Sequence, residues 1–339
     1  MALDDKQKKG ILPMKINCGT VKAIALALLA MAASAAEAKQ LKVLMIGNSF
    51  SICVLKELPK CAASCGETLD IASLYIGGCP LERHSDNIAK ASDPDFKPYS
   101  FSYDYASVSN KNDAPVFALG KRTNIPQALA ADKWDIVTIQ QASPKSVSKD
   151  THEPHASRLV AKIRELAPQA EIVIQQTWSY SQYAQPFFKK MCFTQDTMFA
   201  AVKDAYADLA ARYGFRMIPM GEAVQLYRGR LPVKYGKILN SKEIQALQQP
   251  QLVDFGGDVV GSSSWRKGGK KEKNPDAIKL RLDTIHLNSD GHYLQACTWL
   301  ASLFGRDVTQ LQYAPSGMDT AKAKLMRECA AAAVAAYRK

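Results

Sequence analysis

Patterns that hold metals are missing from this sequence. It has five histidines in 339 residues, at positions 84, 152, 155, 286 and 292, and none of its eight cysteines forms a Cys-x-x-Cys pair. A structural zinc site needs four such ligands and a catalytic one three. His152 and His155 are close enough to share an ion but have no third ligand nearby, so a solvent-exposed loop is the plainer reading. No metal and no organic cofactor is expected.

Long apolar runs are also scarce. The strongest, Ala23–Ala32, is too short to span a bilayer. It follows Lys15 and Lys22 and precedes Ala36-Glu37-Ala38, the layout of a secretory signal with an Ala-x-Ala cleavage site. The expectation is an exported protein, periplasmic or extracellular, without an integral membrane segment. Residues 1–38 would be the signal peptide, and the mature chain would begin at Lys39. Asp4 and Asp5 make a poor leader, so Met14 is an alternative start, and Cys18 precedes the apolar run, which argues against a lipid anchor.

Seven cysteines follow residue 38, an odd number that cannot all pair within one chain. Cys61 and Cys65 fall at helical spacing, where a bridge would distort the turn, so small buried side chains are expected instead. Acidic residues are outnumbered, 32 against 44 Lys/Arg, for a formal net charge of +12. Between 228 and 281 lie twelve Lys/Arg and five Asp/Glu, so much of the surplus sits in one segment. Such a surface attracts anionic polysaccharide or lipid headgroups, or merely keeps a loop solvated. Nucleic acid is disfavoured, because no aromatic interleaves the run Arg266–Lys273 and the chain carries an export signal.

Strand and helix patterns alternate, which predicts a parallel sheet covered on both faces. Strands are expected at 42–46, 70–75, 135–140, 171–176 and 215–219, and helices at 51–64, 125–131, 156–166, 192–213, 291–304 and 319–337. Two stretches interrupt the alternation within the 39–339 domain. Residues 85–124 read as a hairpin excursion, with Tyr99–Tyr105 as one arm and Val116–Leu119 as the other. Residues 228–281 read as a long basic insertion with little core.

Two short segments carry chemistry. Val43-Leu44-Met45-Ile46-Gly47-Asn48-Ser49-Phe50-Ser51 reads as a buried strand that stops at glycine and asparagine and exposes a serine on the turn into a helix. Leu282-Asp283-Thr284-Ile285-His286 can set an imidazole over that serine and fix its ring with a carboxylate. The bland alternative is that Ser49 or Ser51 merely caps the helix. Ser49 is the candidate nucleophile, His286 its base, Asp283 the orienting acid, and Ser51 the expected cap. The N–H of Ser49 at the helix start suits an oxyanion.

These segments resemble the SGNH (GDSL-like) hydrolases, and among them a secreted bacterial subfamily of unknown function. Gly47-Asn48-Ser49-Phe50-Ser51 is similar to that family's first block, normally Gly-Asp-Ser-Leu-Ser, and Asp283-x-x-His286 to its last. Tyr75-Ile76-Gly77-Gly78-Cys79-Pro80-Leu81 resembles the second block, whose glycine N–H joins the oxyanion hole. The third block should read Gly-x-Asn-Asp, but this chain has Ile139-Gln140-Gln141-Ala142-Ser143. The resemblance then implies that Gln140 or Gln141 supplies the missing amide; Gln141, farther along at the mouth of the cleft, is the choice, with Gln140 anchoring the neighbouring loop. It implies a three-layer α/β/α, flavodoxin-like fold with a central, mostly parallel five-stranded sheet.

His84 follows the second-block segment and could touch substrate or form a surface ion pair. Trp178 and Tyr180 end a strand at the ligand edge and could stack on a sugar or pack under a helix. Asp290 is the expected cap of the helix after His286. The resemblance and compartment imply a serine esterase removing acetyl or similar acyl groups from a carbohydrate. A lipid ester or thioester hydrolase, or a noncatalytic polysaccharide-binding protein on the same scaffold, are the alternatives.

Overall fold

The apolar run Val43–Ile46 becomes the centre of a sheet. In the computed structural model, residues 38–108, 115–231, 238–269, 274 and 276–337 are described. All of the expected signal segment but Ala38, and the polar turn at 109–113, lie outside them. β1 (Gln40–Gly47) has its last five residues buried, as a strand covered on both faces requires. Val43 and Met45 point into one apolar cluster, Leu44 and Ile46 into the other, following the two-residue alternation of a strand.

Parallel to β1 run β2 (Thr68–Tyr75), β5 (Ile136–Ile139), β6 (Glu171–Gln175) and β7 (Arg216–Ile218). All five expected strands are present. Among the described residues the sheet nevertheless has seven, in the order β4-β3-β2-β1-β5-β6-β7. β3 (Tyr99–Tyr105) pairs antiparallel with β2, and the two-residue β4 (Arg122–Thr123) pairs with β3. The excursion therefore extends the sheet edge instead of forming a separate hairpin. Its return arm is β4, because Pro115–Leu119 forms a 3-10 turn whose Phe117 packs on Tyr103 and Tyr105.

Helices cover both faces. Leu58–Ser64, Met220–Gly229, Ser289–Phe304 and Thr320–Ala335 supply one cluster, and Ile125–Ala130, His155–Leu166 and Gln195–Tyr213 the other. The helix expected from 192 starts later, because Cys192 adopts a left-handed conformation that ends Gln185–Met191, and Thr194 caps the next helix with Thr197. Leu81–Lys90 and Met220–Gly229 were not anticipated. The first buries Leu81 but also His84, Ser85 and Asn87, so its inner face lacks the apolar period that marks a helix.

The basic insertion is more structured than its composition suggests. Its antiparallel strands β8 (Val260–Lys267) and β9 (Ile278–Leu287) form a two-stranded ribbon. Val253 and Phe255 pack with Tyr183, Leu280 and Leu282 in a small core of their own. Beneath it, Arg228 and Asp258 form a bidentate ion pair at 3.0 Å and 3.0 Å, with side chains 4 % and 0 % exposed. Gly261, at φ +101, sits where any side chain would strike the Phe255 ring.

Candidate active site

β1 delivers Ser49 to the carboxyl edge of the sheet, where open α/β sheets bind ligands. Gly47 is required at the exit, since a Cβ there would lie 2.3 Å from Ser51 Oγ. Asn48 is the helix cap, accepting the Phe50 N–H at 3.0 Å. Ser51 is not. Its buried hydroxyl donates back to the Asn48 carbonyl at 3.0 Å.

Every polar atom of the Asn48 amide is engaged. Oδ1 also accepts from Gln140 Nε2 at 2.7 Å, and Nδ2 donates to the Cys79 carbonyl at 3.0 Å. The second bond ties the Gly78-bearing loop to the serine turn, and an aspartate could not make it because a carboxylate only accepts. Gln175 Nε2 donates to Gln140 Oε1 at 2.6 Å and to the Phe50 carbonyl at 2.8 Å, and Gln295 Nε2 reaches the same carbonyl at 2.9 Å. Three glutamines from three separate segments thus hold the turn on either side of Ser49.

β9 brings up the other partners. His286 Nε2 lies 2.8 Å from Ser49 Oγ, and His286 Nδ1 lies 2.8 Å from Asp283 Oδ2. Asp283 Oδ1 accepts the backbone N–H groups of Ile285 and His286, each at 3.0 Å. Burial raises the Asp283 pKa, but the His286 side chain and those backbone donors outweigh it and hold the carboxyl well below its usual range. An ionised Asp283 can only accept, so Nδ1 carries the proton and the lone pair of Nε2 faces Ser49.

The turn bearing Asp283 and His286 is fastened to the segment after β6. Trp178 donates its indole N–H to the Ile285 carbonyl at 2.9 Å, and the Ser181 N–H donates to the Thr284 carbonyl at 2.9 Å. Phe50, next to Ser49, stacks on Trp178 at 4.1 Å and 16° and lies 5.6 Å from the His286 ring. Trp178 is fully buried, so it supports the histidine and offers no surface to a sugar.

Three other expected contacts are not made. Gln141 is buried and faces away from Ser49: its Nε2 donates to the Thr151 carbonyl at 2.7 Å, and its Oε1 accepts from the Leu81 and Ala142 N–H groups. Gln140 stands nearer, because the register pairs Ile46 with Ile139 and so sets Gly47 beside Gln140. His84 is buried under the sheet edge, stacked on Tyr99 with Nδ1 2.8 Å from its hydroxyl. Burial, followed by the charge of Arg83, lowers its pKa to about 3. Tyr180 is buried too, its hydroxyl 2.8 Å from Ser143 Oγ. Gly78 is exposed at φ +60 on the loop tethered by Asn48. The helix after His286 is capped by Asn288, while Asp290 pairs with Lys322.

A groove of about 400 Å³ opens from His286 and Asp283 along Ser262, Ser264, Arg266 and Arg281. A larger cavity, about 770 Å³, lies at the amino edge of the sheet, beside Lys39 and Gly214–Met217. It is remote from Ser49, which follows β1 where Lys39 precedes it. Among the described residues no helix is long and apolar enough to cross a membrane.

The chain belongs to the DUF4886 family, a domain of unknown function that matches residues 42–232. The expectation of a family of unknown function is met, and the matched residues take in the Ser49 segment. A crystal structure of a DUF4886 family protein from Bacteroides uniformis superposes with a TM-score of 0.64 at 28% identity, covering 87% of this chain and 95% of that one. A protein from Parabacteroides merdae described as a GDSL-like lipase is similar at 11% identity and a TM-score of 0.42, over 79% of this chain and 98% of its own. The periplasmic domain of a lipopolysaccharide acetyltransferase from Salmonella ser. Paratyphi A gives 11% identity and a TM-score of 0.33, over 58% of this chain and 72% of its own. No curated protein matches.

Proposed function

We propose that this protein is an exported serine esterase acting on O-acyl groups, chiefly acetyl, of a carbohydrate. The observation that carries the reading is the unbroken chain from Ser49 Oγ through His286 to Asp283, with both links at 2.8 Å. Ser49 attacks the ester carbonyl while Nε2 takes its proton. Asp283 stabilises the imidazolium that results. The tetrahedral oxyanion is held by the N–H groups of Ser49 and Gly78 without a glutamine amide. Collapse of that intermediate expels the alcohol, which takes the proton from Nε2. A water activated by the same histidine then releases the acid and restores Ser49.

A carbohydrate is favoured over a lipid because Ser262, Ser264, Arg266 and Arg281 in the lining of the groove beside the triad offer hydroxyl and guanidinium groups to a sugar's hydroxyls. Export rests on the Ala23–Ala32 run and the Ala36-Glu37-Ala38 site. Purified protein lacking residues 1–38 should hydrolyse short-chain nitrophenyl esters and release acetate from acetylated oligosaccharides, and Ser49→Ala should do neither. Absence of turnover on every ester, with retained binding to a polysaccharide, would instead make the chain a noncatalytic binder.

A further inference from the structure

The strands that carry Asp283 and His286 continue outward beyond the site. Ser262 lies opposite Asp283, Ser264 opposite Arg281, and Arg266 opposite Lys279. Paired residues at alternate positions share a face, so these six form one surface. The other face presents Trp265, Leu280 and Leu282, of which the two leucines pack on the small core of Val253 and Phe255. The ribbon is therefore two-sided: one side carries the apolar anchors, with Ser263 and Lys267 beside them, and the other is hydroxylated and cationic.

The groove runs along that cationic side. Among the described residues Asp283 is the one acid in its lining, and both of its oxygens are taken by the His286 turn. Arg266 is exposed and braced by a bond from its Nε to Ser264 Oγ at 2.8 Å. Among the described residues no carboxylate takes its terminal nitrogens. Arg281 stands one ladder step nearer the triad. At the rise of an antiparallel strand, the Arg281 and Arg266 levels lie about 7 Å and 14 Å from Asp283, the span of a short oligosaccharide.

We infer that this face of the ribbon is a subsite for an anionic group carried by the substrate itself. The ester substrate is then an acylated polysaccharide bearing carboxylate, sulfate or phosphate groups a short distance along the chain from the acyl group cleaved at Ser49. Arg266 takes the anion through paired N–H donors, the positive charge of Arg281 adds to the attraction one step nearer the triad, and Ser262 and Ser264 bond the neighbouring hydroxyls. The inference rests on the esterase reading for what happens at Ser49, but binding at the ribbon can be measured apart from it. Nucleic acid fits less well, because Trp265 lies on the buried-side face and cannot stack on a base.

The test measures binding by the Ser49→Ala variant to unacylated oligogalacturonate, to dextran sulfate and to neutral dextran, at low and high ionic strength. Both anionic oligomers should bind at least about tenfold tighter than dextran, with the advantage shrinking in salt. A preference between them identifies carboxylate or sulfate as the better ligand. Adding Arg266→Gln and Arg281→Gln should remove about tenfold of that affinity, whereas Lys267→Gln, on the opposite face, should leave it at the starting value. Equal binding of dextran, or equal losses for the Lys267 and Arg266 variants, would overturn the subsite and reduce it to bulk charge. In the Ser49 enzyme the two arginine substitutions should raise KM for acetylated oligogalacturonate by several times more than KM for nitrophenyl acetate. A fall confined to kcat would overturn the inference as well. Failure of Ser49 as nucleophile would abolish turnover while leaving the binding comparison intact.

Discussion

Trp178 donates its indole N–H to the carbonyl of Ile285, the residue before His286, while its ring lies flat against Phe50, the residue after Ser49. One buried side chain therefore fixes the Ser49 and His286 turns relative to each other. Trp178→Phe keeps most of the stacking surface but leaves a carbonyl unpaired, a loss of about 1–3 kcal/mol. It is expected to lower kcat for a nitrophenyl ester about tenfold with little change in KM, since a base displaced by a fraction of an ångström still admits substrate. Thermal melts alongside steady-state kinetics check this. A stability loss with unchanged kcat would make Trp178 a core residue only.

Asn48 offers a second test, because the chain departs there from the Gly-Asp-Ser pattern of the SGNH enzymes. Its Nδ2 donates to the Cys79 carbonyl and so tethers the Gly78 loop. Asn48→Asp would set a carboxylate oxygen against that carbonyl and is expected to depress kcat about tenfold or more by releasing an oxyanion donor. Gln140→Ala, which removes the partner of Asn48 Oδ1 and Gln175, should lower both kcat and melting temperature. Gln141→Ala should mainly destabilise, since its amide joins Leu81, Ala142 and Thr151. Kinetics and melts of the three variants together decide the assignment.

What could be read from the sequence follows from where its apolar side chains lie. The five parallel strands are legible because each is buried on both faces, and Ser49, Asp283 and His286 because the turns that carry them are short and local. Gln140 and Gln141 could not be told apart by strand alternation, since β5 ends at Ile139 and the chain then bends. The helix Leu81–Lys90 escapes notice because its inner face holds His84, Ser85 and Asn87. The basic insertion reads as loose because its anchor is an ion pair, Arg228 with Asp258, that hydropathy cannot register. Trp178 and Tyr180 end a strand in the place where either substrate or core could claim them, and packing gives both to the core.

That anchor sets a third prediction. Arg228 also donates to the Ser179 carbonyl and hydroxyl and to the Tyr180 carbonyl. Arg228→Met leaves Asp258 buried and charged, a loss of about 3–5 kcal/mol. The double change Arg228→Met with Asp258→Leu should recover part of it. Chemical denaturation of the three proteins measures the coupling. Losses that simply add would show that the pair acts through something other than its charges.

Stability should fall on mild acidification. Burial, its largest cause in each case, lowers the pKa of His84 to about 3 and those of His152 and His292 to about 4. The unfolded chain binds these protons from about pH 6.5 downward and the folded chain does not, so stability is fully present above that pH and declines toward pH 4. His152 is buried and its ring packs on Tyr206. His152→Phe should remove about 2 kcal/mol of the loss between pH 7 and pH 5, read from urea melts at the two pH values. An unchanged slope would mean that His152 does not remain neutral in the fold.

The most direct measurement of the central claim is covalent labelling with a fluorophosphonate, followed by peptide mass spectrometry. Such reagents react with a serine whose hydroxyl is activated by a base. The wild-type protein should carry one adduct, on Ser49. His286→Ala should label far more slowly, Ser49→Ala not at all, and the double variant should turn over esters scarcely worse than either single one, because the residues act as a unit. No adduct on the folded wild-type protein, or an adduct on Ser51 in place of Ser49, would contradict the account.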